Sequence, residues 1–155
     1  MTGTQHHYVT TVTWTGNPGE GTSKRGNHSR NHDIAVEGKP VIHGSSDPGF
    51  RGDPTRHNPE DLFVASLSAC HMLWYLSLCG KAGIAVMEYV DRAEGVMTES
   101  ADGGGRFTSV VLRPQITLAP GSDQALADHL HHEAHEKCFI SQSVNVPVTV
   151  EATYR

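Results

Sequence analysis

Polar and apolar positions alternate from Tyr8 to Trp14, with Tyr8, Thr10, Val12 and Trp14 on one side, a period that predicts a strand. Asn17-Pro18-Gly19 follows as a turn. Residues 29–36 read as a short strand, and Gly38-Lys39 as a hairpin turn leading into Val41-Ile42. Residues 43–59 are rich in His, Gly, Asp, Ser, Pro and Arg. Polar loops of that length commonly carry binding or lid roles.

The pattern then changes to a helix. Asn58 suits the N-cap, Pro59 the first helical position, and Glu60 and Asp61 the positive end of the dipole. The helix is expected to reach Cys79 or Lys81 and to stop at Gly80 or Gly83. Leu62, Phe63, Val64, Leu67, Leu73, Trp74, Leu76 and Leu78 go nearly all the way round it, which predicts burial on most sides. The interrupting Ser66, Ser68, His71 and Ser77 favour a core helix over a membrane span. Two strands are expected next, over residues 84–97 and 107–118, joined by the Gly-rich loop 100–105, with Arg113-Pro114 marking a bulge or edge. A second helix starts at Ser122 or Asp123 and runs to about Lys137, and a strand over residues 146–154 ends the chain. The fold class is α+β: one domain over residues 1–155, with antiparallel strands around two helices.

Composition narrows the function. The 155 residues carry 12 Lys and Arg against 17 Asp and Glu, a net charge of −5, with no basic block for nucleic acid or an anionic membrane. The N-terminal residues lack the basic start and apolar core of a signal peptide, which places the chain in the cytoplasm. Three cysteines in such a compartment are too few for a disulfide scaffold. Each could be a small buried hydrophobe, a nucleophile or a metal ligand.

The residues around two of them are distinctive. Asn58-Pro59-Glu60-Asp61-Leu62 followed by Ser68-Ala69-Cys70 closely resembles the central helix of the OsmC/Ohr family, and Cys138-Phe139-Ile140-Ser141-Gln142 resembles that family's second-cysteine segment. The order of strands, helices and cysteines is similar over nearly the whole chain. Within the family, Ser29-Arg30-Asn31-His32 and Gly52-Asp53 resemble the OsmC-like branch. The resemblance implies an intertwined homodimer and a thiol peroxidase that reduces organic hydroperoxides, hydrogen peroxide less well. It makes Cys70 the peroxidatic cysteine, Cys138 the resolving cysteine, Glu60 the catalytic carboxylate and Arg30 the activating arginine, with Arg25 the other candidate. It implies regeneration by a dithiol, such as a lipoyl group. No cofactor is expected.

The chemistry accounts for such a set. A free Cys near pKa ~8.5 is mostly protonated at neutral pH, and burial raises it further. A guanidinium held by a carboxylate would favour the thiolate. Glu60 and Cys70 are ten positions apart, ~15 Å on a straight helix, and point about 80° apart. They cannot easily serve one thiolate within a single helix, so Glu60, Arg30 or both are expected to come from a second copy. Residues 50–53 would shape the substrate pocket, with Trp74, Tyr75 and Phe139 as apolar walls.

Other residues have plainer readings. Cys79 is expected to be a packing residue, and His71, about 100° from Cys70, a packing or hydrogen-bonding one. His131 and His135 are spaced i, i+4 and precede Cys138, which suits a metal ion, but no HExxH pattern accompanies them. No metal is assigned. The other histidines (His6, His7, His28, His32, His43, His57) fall mostly in expected surface loops. A redox-sensing or ligand-binding protein on the same fold is the alternative function, and a metal-binding protein the third.

Overall fold

The structure is a computed structural model and describes residues 3–155. The fold is α+β, in two compact units: residues 1–62 and residues 63–155. The first unit holds three antiparallel strands in the order β1 (Thr11–Trp14), β2 (His32–Ala35), β3 (Ile42–Gly44). The expected strands are present, the first two shorter than expected; β2 is shortened because Asn31 and Val36 already belong to the loops that turn the chain. The loop after β3 is anchored on itself. Ser45 donates its N–H to the His57 carbonyl at 2.9 Å and accepts the Asp53 N–H on its hydroxyl at 3.0 Å. At Gly52 a Cβ would lie 1.5 Å from the Ser46 carbonyl oxygen, so only glycine fits where the loop folds back.

Helix α1 (Pro59–Lys81) starts where the sequence predicts. The Asn58 side chain accepts the Asp61 N–H at 2.8 Å, and Asp61 accepts the Asn58 N–H at 3.2 Å, a reciprocal cap. Gly83, at φ 74°, turns the chain away after the last turn. The helix is long and apolar enough to cross a membrane by length and composition. Yet Leu67, Tyr75, Leu78 and Cys79 are core residues that pack on strands and on the second helix. Expected burial on most sides is corrected by the structure. The chain buries only the stripe Leu67, His71, Tyr75, Leu78 and Cys79, and Leu73 remains 63% exposed.

The two long strands expected over residues 84–97 and 107–118 are each broken in two. Strands β4 (Val86–Asp91) and β5 (Glu94–Glu99) pair antiparallel with β7 (Pro114–Leu118) and β6 (Gly105–Leu112), and the hairpin bends between them. Asp91 explains the break. One carboxylate oxygen accepts the Arg113 N–H at 2.6 Å and the other accepts the Ser68 hydroxyl of α1 at 2.5 Å. A side chain thus replaces a backbone partner at the corner, and the ladder starts again in another sheet. Helix α2 (Gln124–Lys137) is capped by Asp123, which accepts the Leu126 N–H at 2.9 Å. The expected last strand is also divided: β8 (Val148–Val150) joins β6 and β9 (Thr153–Tyr154) joins β7, both in parallel. Antiparallel pairing therefore holds for the meander and the hairpin, and the terminal segment adds the parallel edges.

Replacing Asp91 by Ala strands the Arg113 N–H and the Ser68 hydroxyl in a half-buried corner. We expect a loss of about 1–3 kcal/mol, read from urea denaturation midpoints, with Asp91→Asn retaining more of the stability.

Candidate active site

The second unit brings Cys70 and Cys138 together. On α2 the buried positions Ala127, Leu130, His131 and Ala134 form one stripe, and Cys138 continues it just past the helix end. That stripe meets α1 in reverse order: Cys70 faces Cys138, and His71 and Tyr75 face His131. The Cys138 thiol adjoins that of Cys70, and both are free thiols. Cys138 is wholly buried, whereas Cys70 is half-buried. Burial pushes the Cys70 thiol above the usual range, the Cys138 thiol adds to the rise, and the backbone N–H groups of Ile140 and Phe139 oppose it.

Apolar surface adjoins the pair. Trp74 packs edge-on against Phe139 at 5.6 Å between centroids, and Lys137 lies 5.9 Å over the Trp74 ring. Phe139 is 70% exposed. Tyr75, expected as a pocket wall, is instead in the core. It is fully buried, stacks on His131 at 3.9 Å and bonds the Tyr154 hydroxyl at 3.3 Å. Its place one helical turn beyond His71, on the stripe covered by α2, explains the difference.

The histidine pair behind the cysteines has no counterpart in the sequence reading. His71 Nε2 lies 2.9 Å from His131 Nδ1 in parallel rings, and both residues are buried. One nitrogen must donate and the other accept, so the pair is held together while neutral. Burial first, and then the neighbouring imidazole of His135, pushes His71 down to about 4. Burial and His71 push His131 down to about 3. The only local signal was a histidine on an otherwise apolar helix stripe; its partner is 60 positions away.

Histidines on α2 therefore divide. His131 faces inward, whereas His132 is 3.3 Å from Glu136 on the outer surface. Among the described residues, no three His, Cys, Asp or Glu side chains are disposed to hold a metal ion. Cys79 is a wholly buried core residue.

Glu60 and Arg30 belong to the first unit. Glu60 is half-buried in the first turn of α1, which runs unbroken through position 70. Arg30 donates to the His28 carbonyl at 2.6 Å and lines an apolar cavity of about 390 Å³ with Trp14, His28, His32 and Ser45. Among the described residues neither Arg30 nor Glu60 has an ion-pair partner. His28, expected in a surface loop, is half-buried, and so is His32, which begins β2 within the strand expected there.

Residues 52–153 match the sequence model of a family described as OsmC-like protein. An OsmC-like protein of unknown function from Vibrio cholerae is 34% identical and superposes with a TM-score of 0.86, covering 96% of this chain and 100% of the other. An organic hydroperoxide resistance protein OsmC from Legionella pneumophila is 21% identical, with a TM-score of 0.67 over 97% of this chain and 98% of its own. The organic hydroperoxide resistance protein OhrB of Bacillus subtilis is 23% identical, with a TM-score of 0.65 over 94% and 98%. No curated protein matches the chain.

The imidazole pair sets a pH dependence. Folded His71 and His131 resist protonation, whereas the unfolded chain takes up protons below about 6.5. Their contribution to stability is complete above that value and falls as pH drops toward about 4. We expect thermal melts to move down by several degrees between pH 7 and pH 5, equivalent to about 2 kcal/mol. The pH dependence should flatten in His71→Leu/His131→Phe.

Proposed function

Because the chain belongs to the OsmC-like protein family, we propose that it is a cysteine-based peroxidase that reduces organic hydroperoxides, and hydrogen peroxide less well. One observation carries the reading: the thiols of Cys70 and Cys138, 68 positions apart in sequence, come together where the stripes of α1 and α2 meet. Adjoining sulfurs suit a peroxidatic and resolving pair. Half-buried Cys70 is the sulfur that a peroxide can reach, and wholly buried Cys138 is the one that waits behind it. The Cys70 thiolate attacks the peroxide, its sulfur takes one oxygen as sulfenic acid, and the alkoxide leaves to become an alcohol. Cys138 then attacks that sulfur and closes a disulfide with loss of water. The exposed Phe139 beside Trp74 favours an apolar peroxide over a fully polar one. Structurally similar proteins described as organic hydroperoxide resistance proteins support the same substrate class.

Glu60 and Arg30 are the charged members of this proposal. A thiol held up by burial needs a cation to ionise near neutrality. Arg30 has no carboxylate partner of its own among the described residues and is oriented by a backbone carbonyl. The protein acts as a homodimer in the cytoplasm. Two features support assembly: the apolar face of α1 that the chain itself leaves open, and the exposed Val12 and Trp14 of β1. In the dimer a second copy supplies Arg30, Glu60 or both to Cys70. A dithiol of lipoyl type restores the two thiols.

A second reading, a redox sensor or ligand-binding protein, draws on the raised pKa of Cys70, which slows attack. Steady turnover of a tert-alkyl or fatty-acid hydroperoxide with a dithiol, lost in Cys70→Ser, distinguishes the enzyme. Oxidation without turnover favours the sensor.

In Cys138→Ser the first round of peroxide reduction should survive while Cys70 over-oxidises. Absence of a sulfinic or sulfonic adduct at Cys70 by mass spectrometry would remove the resolving role. Arg30→Ala should raise the Cys70 pKa and slow attack at pH 7 by tenfold or more, about 1.4 kcal/mol of barrier. An unchanged pH–rate profile would transfer the role to Arg25. A monomeric variant with full activity would overturn the contribution in trans.

A further inference from the structure

The first unit holds a cavity of about 390 Å³, lined from β1, the loop into β2, β2 itself and the loop after β3. That size suits a small organic molecule. Three rings, Trp14, His28 and His32, line it together with the Arg30 guanidinium. The rings are held in place by the chain around them. The Trp14 indole N–H donates to the Ser29 carbonyl at 2.9 Å, and its ring meets His28 edge-on at 5.7 Å between centroids. His32 donates its Nδ1–H to the Arg30 carbonyl at 2.9 Å. Glycine makes the room for two of them. A Cβ at Gly16 would lie 2.8 Å from the Trp14 indole nitrogen, and one at Gly44 would lie 2.4 Å from His32 Nε2. Side chains fixed in this way leave little ordering cost for a ligand to meet.

The charge on this wall has one sign. Arg30 uses Nη1 for the His28 carbonyl at 2.6 Å, and among the described residues no carboxylate pairs with its guanidinium. Among those residues no acidic side chain lines the cavity either. The neighbouring Asp33 is engaged by His43 at 2.6 Å and lies 3.8 Å from Arg56. His28 keeps a buried Nδ1 without a partner among the described residues, a second polar position for an oxygen to satisfy. A guanidinium takes a carboxylate through two parallel N–H···O bonds, and it does so more strongly beside apolar walls than in open water. A cation is repelled by Arg30, and an inorganic anion leaves the rings without contact. An aromatic body that ends in a carboxylate matches both the rings and the charge.

We propose that this cavity binds small aromatic carboxylates, with the ligand ring among Trp14, His28 and His32 and the carboxylate on Arg30. The inference goes beyond the peroxidase reading and needs neither sulfur. Where Arg30 also serves Cys70 of a second copy, as that reading has it, the bound acid and the thiolate compete for one cation. The acid then restrains attack on the peroxide.

The chain has two tryptophans, Trp14 and Trp74, so its proton–nitrogen NMR spectrum carries two indole N–H signals, and Trp74→Phe identifies that of Trp14. Titration of the full chain with cinnamate at neutral pH should shift the Trp14 signal to saturation. Cinnamyl alcohol, the same skeleton without the charge, should bind more weakly by roughly tenfold or more, because it forgoes the charge-assisted pair. Arg30→Gln should weaken cinnamate to the affinity of the alcohol. The comparison of acid with alcohol uses the unaltered chain, so it decides the matter even where that variant does not fold. A Trp14 signal indifferent to cinnamate, as when a second copy fills the cavity, would overturn the proposal. Equal affinities for acid and alcohol would overturn it too. No peroxide enters the measurement. Absence of turnover would therefore sink the peroxidase reading alone, and absence of the Trp14 response the carboxylate site alone.

Discussion

The second unit depends on one contact: the buried stripe of α1 laid against the buried stripe of α2 in opposite directions. His71, Tyr75 and His131 stack and hydrogen-bond at its centre. The thiols of Cys70 and Cys138 meet at one end of it. The same crossing that excludes water from the core therefore determines which two sulfurs come together. The polar centre is an unusual choice, because two neutral imidazoles share one hydrogen bond while the outer nitrogens of both lack partners among the described residues. An apolar pair of similar size would pack with less desolvation penalty. What the imidazoles add is direction: a hydrogen bond between rings fixes the azimuth of each helix more sharply than apolar contact does.

Packing and chemistry draw on the same residues at that crossing. Burial that stabilises the helix pair also holds the Cys70 thiol protonated, so stability and reactivity oppose each other there. The loop after α2 adds one backbone donor at the pair, the Ser141 N–H, which lies 3.4 Å from the Cys138 sulfur.

Much of the architecture was legible in the chain. The Asn58-Pro59-Glu60-Asp61 start, the Gly83 end and the Asp123 cap are local signals, and each marks the boundary found. The cysteine segments were equally readable, and the structure brings together the two sulfurs that the resemblance paired. What escaped is long-range. No turn residue marks Arg92-Ala93, so nothing local reveals that Asp91 ends one sheet and begins another; its partners are 22 and 23 positions away. The parallel addition of β8 and β9 was hidden for the same reason. The apolar circumference of α1 suggested a fully enclosed helix. A single chain has only enough material to cover one stripe, and hydrophobicity alone does not say what covers the rest.

Asp91 also couples two parts of the unit that are far apart in sequence. By holding the Ser68 hydroxyl and the Arg113 amide at once, it locks the rotational phase of α1 to the corner of the hairpin. Ser68 and Cys70 are two positions apart, about 200° around the helix, so whatever turns one outward turns the other inward. The direction in which the reactive sulfur looks is thereby written partly in the strands. Sequence drift at the hairpin corner can retune the thiol without altering any residue beside it.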